Sequence, residues 1–306
     1  MSSGEALDQH EQGSAGPTGA ARVPAPVLVL LAVLSVQFGG ALAATLIPTI
    51  GAAGSVTLRL LIGTVILLAV ARPRLRGHDR RAWTTVVLFG LALGLMNWSF
   101  YASLGRLPIG VAVTIEFIGP LTLTAALSRR WKDGAAVVAA AGGVVLISQA
   151  LTTPWAELDG IGLGLAAVAG ACWAAYIVLS GRTGRAFSQL DGLALAMVVA
   201  SLVVSPFGLL SAPQWSADVL LRGLGIAVLS SVLPYSFELL ALRRLSAGVF
   251  GIMLSLEPAV AALAGLIVLH QRLTGLQLAG MALVVGASAL VMGAHGRGDP
   301  AEAAST

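Results

Sequence analysis

The chain has 306 residues, 57% of them apolar and 10% charged, with a mean hydropathy of +0.90. Soluble domains carry about 25% charged residues, so this composition excludes an ordinary soluble enzyme or binding domain and makes lipid the natural solvent for most of the chain. The net charge of +4 and isoelectric point near 10.0 do not argue for a nucleic-acid partner. The basic residues, all arginine except Lys132, sit in short clusters between apolar runs, as the positive-inside rule requires and a phosphate-tracking surface does not.

Residues 1–26 are rich in Ser, Gly, Ala and Pro and carry Glu5, Asp8 and Glu11 before the first basic residue, Arg22. A signal peptide begins with a basic stretch, so this segment is expected to be a disordered, uncleaved cytoplasmic tail.

A helix needs about 20 apolar residues to cross the hydrocarbon core. Ten such spans are expected, at 27–47, 51–71, 83–104, 107–128, 134–152, 160–180, 191–211, 222–242, 246–269 and 274–294. The fold class is therefore an all-α integral membrane protein, with a second short tail at 295–306. Ten crossings put both termini on one side. With that side cytoplasmic, every basic residue except Arg106, Arg222, Arg272 and the embedded Arg59 is inside. The expected location is the cytoplasmic (inner) membrane with both termini inside.

An internal repeat also emerges. A constant offset of 138 residues lays Leu107, Gly110 and Pro120 over Leu245, Gly248 and Pro258, and Gly142 over Gly280. Single matches of this kind arise by chance, but the paired segments also hold equivalent places, span 4 in one set of five and span 9 in the next. Two five-helix repeats, 27–152 and 159–294, follow. Because five is odd, they are inverted in the membrane.

Away from the span ends, four spans carry one charged residue each: Arg59 in span 2, Glu116 in span 4, Glu238 in span 8 and Glu257 in span 9. Charge at membrane depth is costly and normally faces the bundle interior with a partner or a water path. Arg59 and Glu116 lie at matching depth, roughly 12 Å from the outer surface at about 1.5 Å per residue. They are candidates for a structural ion pair or for substrate and proton handling. Glu257 lies near the midplane. Glu238 lies near the inner end of its span, where it could instead neutralise Arg243 or Arg244.

Each carboxylate is close to a proline. Pro120 cannot donate to the carbonyl of Glu116, Pro258 follows Glu257, and Pro234 precedes Glu238 by one turn, so a helix irregularity is expected at each. Asn97, Trp98, Tyr101, Tyr176, Tyr235 and Gln37 are polar or amphipathic side chains at similar depths. They suit a pocket lining, although Trp and Tyr also serve as interface anchors.

The lone Cys172 excludes an intramolecular disulfide and a cysteine-based metal cluster. His270 and His295 fall at span ends. No Walker loop, Ser-His-Asp arrangement or zinc-ligand spacing is present, so no cofactor or metal is expected, and an intramembrane enzyme lacks a nucleophile with its base.

The segments Met96-Asn-Trp-Ser-Phe-Tyr101, Pro108 to Pro120, Ser128-Arg-Arg130, Gly170-Ala-Cys-Trp-Ala-Ala-Tyr176, Leu233-Pro-Tyr-Ser-Phe-Glu238 and Ser255-Leu-Glu-Pro258, with Arg59 in Thr57-Leu-Arg-Leu60, resemble the EamA branch of the drug/metabolite transporter superfamily. Within that branch the chain is similar to the threonine/homoserine exporters. The resemblance implies ten helices in two inverted repeats, a central site between spans 3, 4, 8 and 9, and export of small amino acids against protons. Family members commonly carry Gly-Glu at the outer end of span 9, where this chain has His270-Gln271.

Overall fold

A computed structural model describes residues 23–127, 131–148, 154, 158–268 and 273–295. The expected signatures at Ser128–Arg130 and His270-Gln271, and both tails apart from their innermost residues, lie outside the described residues.

The elements are, in order, α1 (Ala25–Ala44), α2 (Ile47–Ala71), α3 (Arg80–Leu104), α4 (Ile109–Leu127), α5 (Trp131–Ser148), α6 (Gly160–Ala186), α7 (Asp191–Gly208), α8 (Ala217–Ala227), α9 (Leu233–Leu242), α10 (Ala247–Leu254), α11 (Glu257–Val268) and α12 (Gly275–His295). A π-helical turn, Val228–Val232, joins α8 to α9, and a two-residue break separates α10 from α11. These twelve helices therefore make ten helical segments, matching in number the ten expected spans. Seven are long and apolar enough to cross a membrane by length and composition, and three shorter apolar helices accompany them, Val111–Leu127, Gly134–Ser148 and Gly275–Ala287.

The helix starts follow from local chemistry. Asp79 accepts from Ala82 N at 2.8 Å, Asp159 from Gly162 N at 2.6 Å, and Ser216 and Ser246 cap α8 and α10 in the same way. Each satisfies an N–H that the first turn leaves without an intrahelical acceptor. In span 2 the helix begins earlier than expected, because Pro48 fits the first turn, where its missing N–H costs nothing. The chain between spans 1 and 2 still bends, at a kink at Gly51, whose φ of 73° is a conformation that suits glycine.

α3 packs along α6 and α7, α2 along α7, α4 along α5 and α6, α1 along α9 and α11, and α5 along α12. Phe89, Leu60, Leu67, Leu93, Tyr176, Ile177, Leu193, Met197 and Phe250 are fully buried at the centre of this arrangement. Lipid supplies no hydrophobic drive between helices, so close backbone approach matters more. Gly143 and Gly280 show it: a Cβ on either would stand 2.7 Å from the other's carbonyl oxygen, which locks α5 against α12.

Candidate functional site

The four expected membrane charges are all buried, with Arg59 at 6%, Glu116 at 9%, Glu238 at 5% and Glu257 at 9% exposure. Their partners differ from the expected ones. Arg59 does not pair with Glu116. It donates through Nη2 to Asn97 Oδ1, and its guanidinium carbon lies 5.8 Å from the centroid of the Tyr101 ring. The depth match fixed one coordinate only: α2 packs mainly on α7, whereas α4 packs on α5, α6 and α10.

Glu238 is likewise not neutralised by Arg243 or Arg244. Five helical positions separate it from Arg243, which is about 140° around the helix. Arg243 donates to the carbonyls of Phe187 and Gln189, and Arg244 to that of Val23. Glu238 instead accepts from Tyr176 Oη at 2.6 Å.

Glu257 accepts from Gln37 Nε2 at 3.2 Å, which ties α11 to α1. Glu238 and Glu116 both lie within electrostatic reach of Glu257. Glu116 makes no hydrogen bond or ion pair among the described residues, and Phe117 beside it stacks edge-on against Trp173 of α6 at 4.7 Å.

A continuous run of buried polar groups results. From Arg59 it passes to Asn97, whose Nδ2 donates to Tyr235 Oη at 3.2 Å; the Tyr235 and Tyr176 rings are 5.9 Å apart, and Tyr176 donates to Glu238. Six elements contribute to this run and its flank: α2, α3, α9, α6, α11 and α1. Trp98 is not part of it. One position along from Asn97, it turns to α7 and stacks on Phe207 at 4.8 Å.

Two of the three proline irregularities form. Pro258 cannot donate to Leu254, and span 9 breaks just there: Ser255 N and Leu256 N bond back to Ile252 and Met253 in tighter turns, and a new helix starts at Glu257. Pro234 cannot donate to Ser230, and Ser230 lies within the π-helical turn that ends two residues before the proline. At Pro120, by contrast, α4 continues without a break. The freed Glu116 carbonyl is covered by α6, where a Cβ on Gly170 would come within 2.6 Å of that oxygen.

The π-helical turn brings in residues that the sequence reading passed over. Ser230 and Ser231 are fully buried with hydroxyls lacking a partner among the described residues, and Ser35 of α1 donates to Leu229 O at 2.7 Å. Two adjacent serines inside an apolar span, a few residues before a proline, were the available signal.

The fold and the buried polar run define a multi-pass α-helical membrane protein. The EamA-like transporter family matches residues 160–293. Over 266 residues the chain is 40% identical to the threonine/homoserine exporter RhtA of Salmonella typhimurium (strain SL1344), covering 86% of this chain and 90% of that one. The RhtA of Escherichia coli (strain K12) is 39% identical over 264 residues, 86% and 89% of the two chains. The protein PecM of Dickeya dadantii (strain 3937) is 28% identical over 218 residues, 68% and 73%. A solved crystal structure shares the fold with a TM-score of 0.71 at 18% identity, over 89% of this chain and 98% of the other. The chain belongs to the EamA-like transporter family.

Proposed function

We propose that this protein is a secondary active transporter that exports small amino acids of the threonine/homoserine type across the cytoplasmic membrane in exchange for protons. The observation that carries this reading is the 40% identity, across most of both chains, to proteins named as such exporters. The buried site supports it. An α-amino acid has a carboxylate and an ammonium, and the site offers one guanidinium, Arg59, together with the carboxylates of Glu116, Glu238 and Glu257.

In this mechanism Arg59 receives the carboxylate. Glu116, which has no protein partner among the described residues, holds the ammonium and exchanges it for a proton. Burial disfavours the charged form of a carboxylate, so a proton is a natural replacement when substrate leaves. Glu257 and Glu238 are held by Gln37 and Tyr176 and serve in coupling, while Tyr101, Tyr176 and Tyr235 line the path.

Alternating access then proceeds by rocking of two inverted five-helix repeats, 27–152 and 159–294, with both termini cytoplasmic. The packing supports this repeat. Exchanging the two halves turns the α3–α6 contact into the α9–α1 contact, and α3–α7 into α8–α2, and all four exist. Asn97 and Tyr235, which hydrogen-bond each other, are themselves 138 residues apart.

His270-Gln271, where the family resemblance leads one to expect Gly-Glu, favours a second reading, export of another small metabolite or drug by the same mechanism. Reconstituted protein under an imposed pH gradient separates the two. Gradient-driven flux of threonine or homoserine, lost in Glu116→Gln, upholds the first reading; flux of other metabolites alone upholds the second.

A further inference from the structure

We infer that Asn97 sets the selectivity of the site for ligands bearing a carboxylate, by holding Arg59 through a neutral amide that leaves the guanidinium charge uncompensated. This deepens the proposed amino-acid site and rests on that reading.

The starting point is an unusual pairing. A buried guanidinium is normally offset by a carboxylate, because a desolvated charge without one is costly. Among the described residues the ion pairs are Arg106 with Asp159 and Arg222 with Asp218, and neither involves Arg59. Arg59 has instead the amide oxygen of Asn97 and the face of the Tyr101 ring, and its Nε has no acceptor among the described residues. Both contacts stabilise a cation without cancelling its charge.

Asn97 cannot be turned round. Its Nδ2 donates to Leu93 O at 2.8 Å and to Tyr235 Oη at 3.2 Å. A backbone carbonyl only accepts, so the amide nitrogen must face Leu93, and the oxygen is left for Arg59. The same side chain thereby joins α2, α3 and α9 at one point.

An aspartate at this position would have the same shape and the opposite consequence. It would pair with Arg59, remain ionised beside it, and satisfy the guanidinium before any ligand arrived. The amide keeps the positive charge for the ligand, whose carboxylate matches the planar fork of the guanidinium.

The test is binding of L-threonine and of threoninol, its carboxylate-free counterpart, to the full chain in lipid nanodiscs, by calorimetry. Wild type is expected to bind threonine much more tightly than threoninol. Asn97→Asp should weaken threonine by at least about tenfold, as expected when a charged hydrogen-bond partner is lost to an internal competitor, and leave threoninol within about threefold. Asn97→Ser, which removes the clamp and adds no charge, should weaken threonine and spare threoninol, and it serves if Asn97→Asp is not recovered folded. Threonine binding unchanged in these variants overturns the inference, and so does an equal loss of both probes, which makes Asn97 structural only.

If wild type binds neither probe, the amino-acid reading fails, and L-lactate, a carboxylate without an ammonium, tests the inference by itself. Lactate binding that is lost in Asn97→Asp upholds it, and no lactate binding by wild type overturns it.

Discussion

Tyr176 donates its phenolic hydrogen to Glu238 across 2.6 Å, joining α6 to α9 where the two residues are 1% and 5% exposed. Removing the donor leaves a buried carboxylate without its hydrogen bond, at a cost of about 1–3 kcal/mol. Tyr176→Phe should therefore lower thermal stability in detergent. Adding Glu238→Gln should restore part of it, because the neutral amide is less costly to bury. If the double variant is less stable than Tyr176→Phe alone, the bond is not what holds these helices together.

Close helix approach gives a second expectation. A Cβ at position 170 would stand 2.6 Å from the Glu116 carbonyl, whereas one at Gly164, on the same helix, would meet nothing within 4 Å. Gly170→Ala should destabilise by about 1–3 kcal/mol, as overpacking does, and Gly164→Ala should be near neutral. Matched melting curves of the two variants check this.

Much of the fold was legible in the residues, and the site only in part. The ten spans emerged because lipid demands long apolar runs, and Pro234 and Pro258 announced irregularities that formed. Pro120 did not break its helix, and Gly170 of α6 lies close against the carbonyl it frees. Depth along a span could be estimated from rise per residue, but rotation about the helix axis could not. This is why Arg59 was matched with Glu116 instead of Asn97, and Glu238 with Arg243 instead of Tyr176. Trp98 was grouped with Asn97 for a related reason: adjacent helical residues point about 100° apart, and only one of them faces Arg59.

The start of α6 carries a pH dependence. The Asp159 carboxylate lies below its ordinary value of 3.8: the Gly162 N–H that donates to it is the largest cause, burial opposes it, and the charge of Arg106 adds a smaller lowering. A depressed carboxylate stabilises the fold above its unfolded pKa, and that stabilisation is lost as pH falls through the folded value. The α6 N-terminus should therefore keep its protection at neutral pH and loosen only below the ordinary aspartate range. Hydrogen exchange of the first turn of α6 in wild type and Asp159→Asn checks this; in the variant the acid-induced loosening should be absent.

Glu116 separates function from stability. It has no protein partner among the described residues, so Glu116→Gln removes no hydrogen bond and spares the cost of burying a charge. The melting temperature should be unchanged or raised, while pH-gradient-driven flux falls by more than about tenfold, the effect of about 1.4 kcal/mol on a rate. A variant that retains full flux would remove Glu116 from proton exchange.

The most direct test of the account is counterflow. Proteoliposomes loaded with unlabelled L-threonine or L-homoserine and diluted into trace labelled amino acid should transiently accumulate label above its equilibrium level, and Arg59→Gln proteoliposomes should not. Absence of accumulation for every small amino acid, from folded protein that moves another metabolite in the same assay, would contradict it.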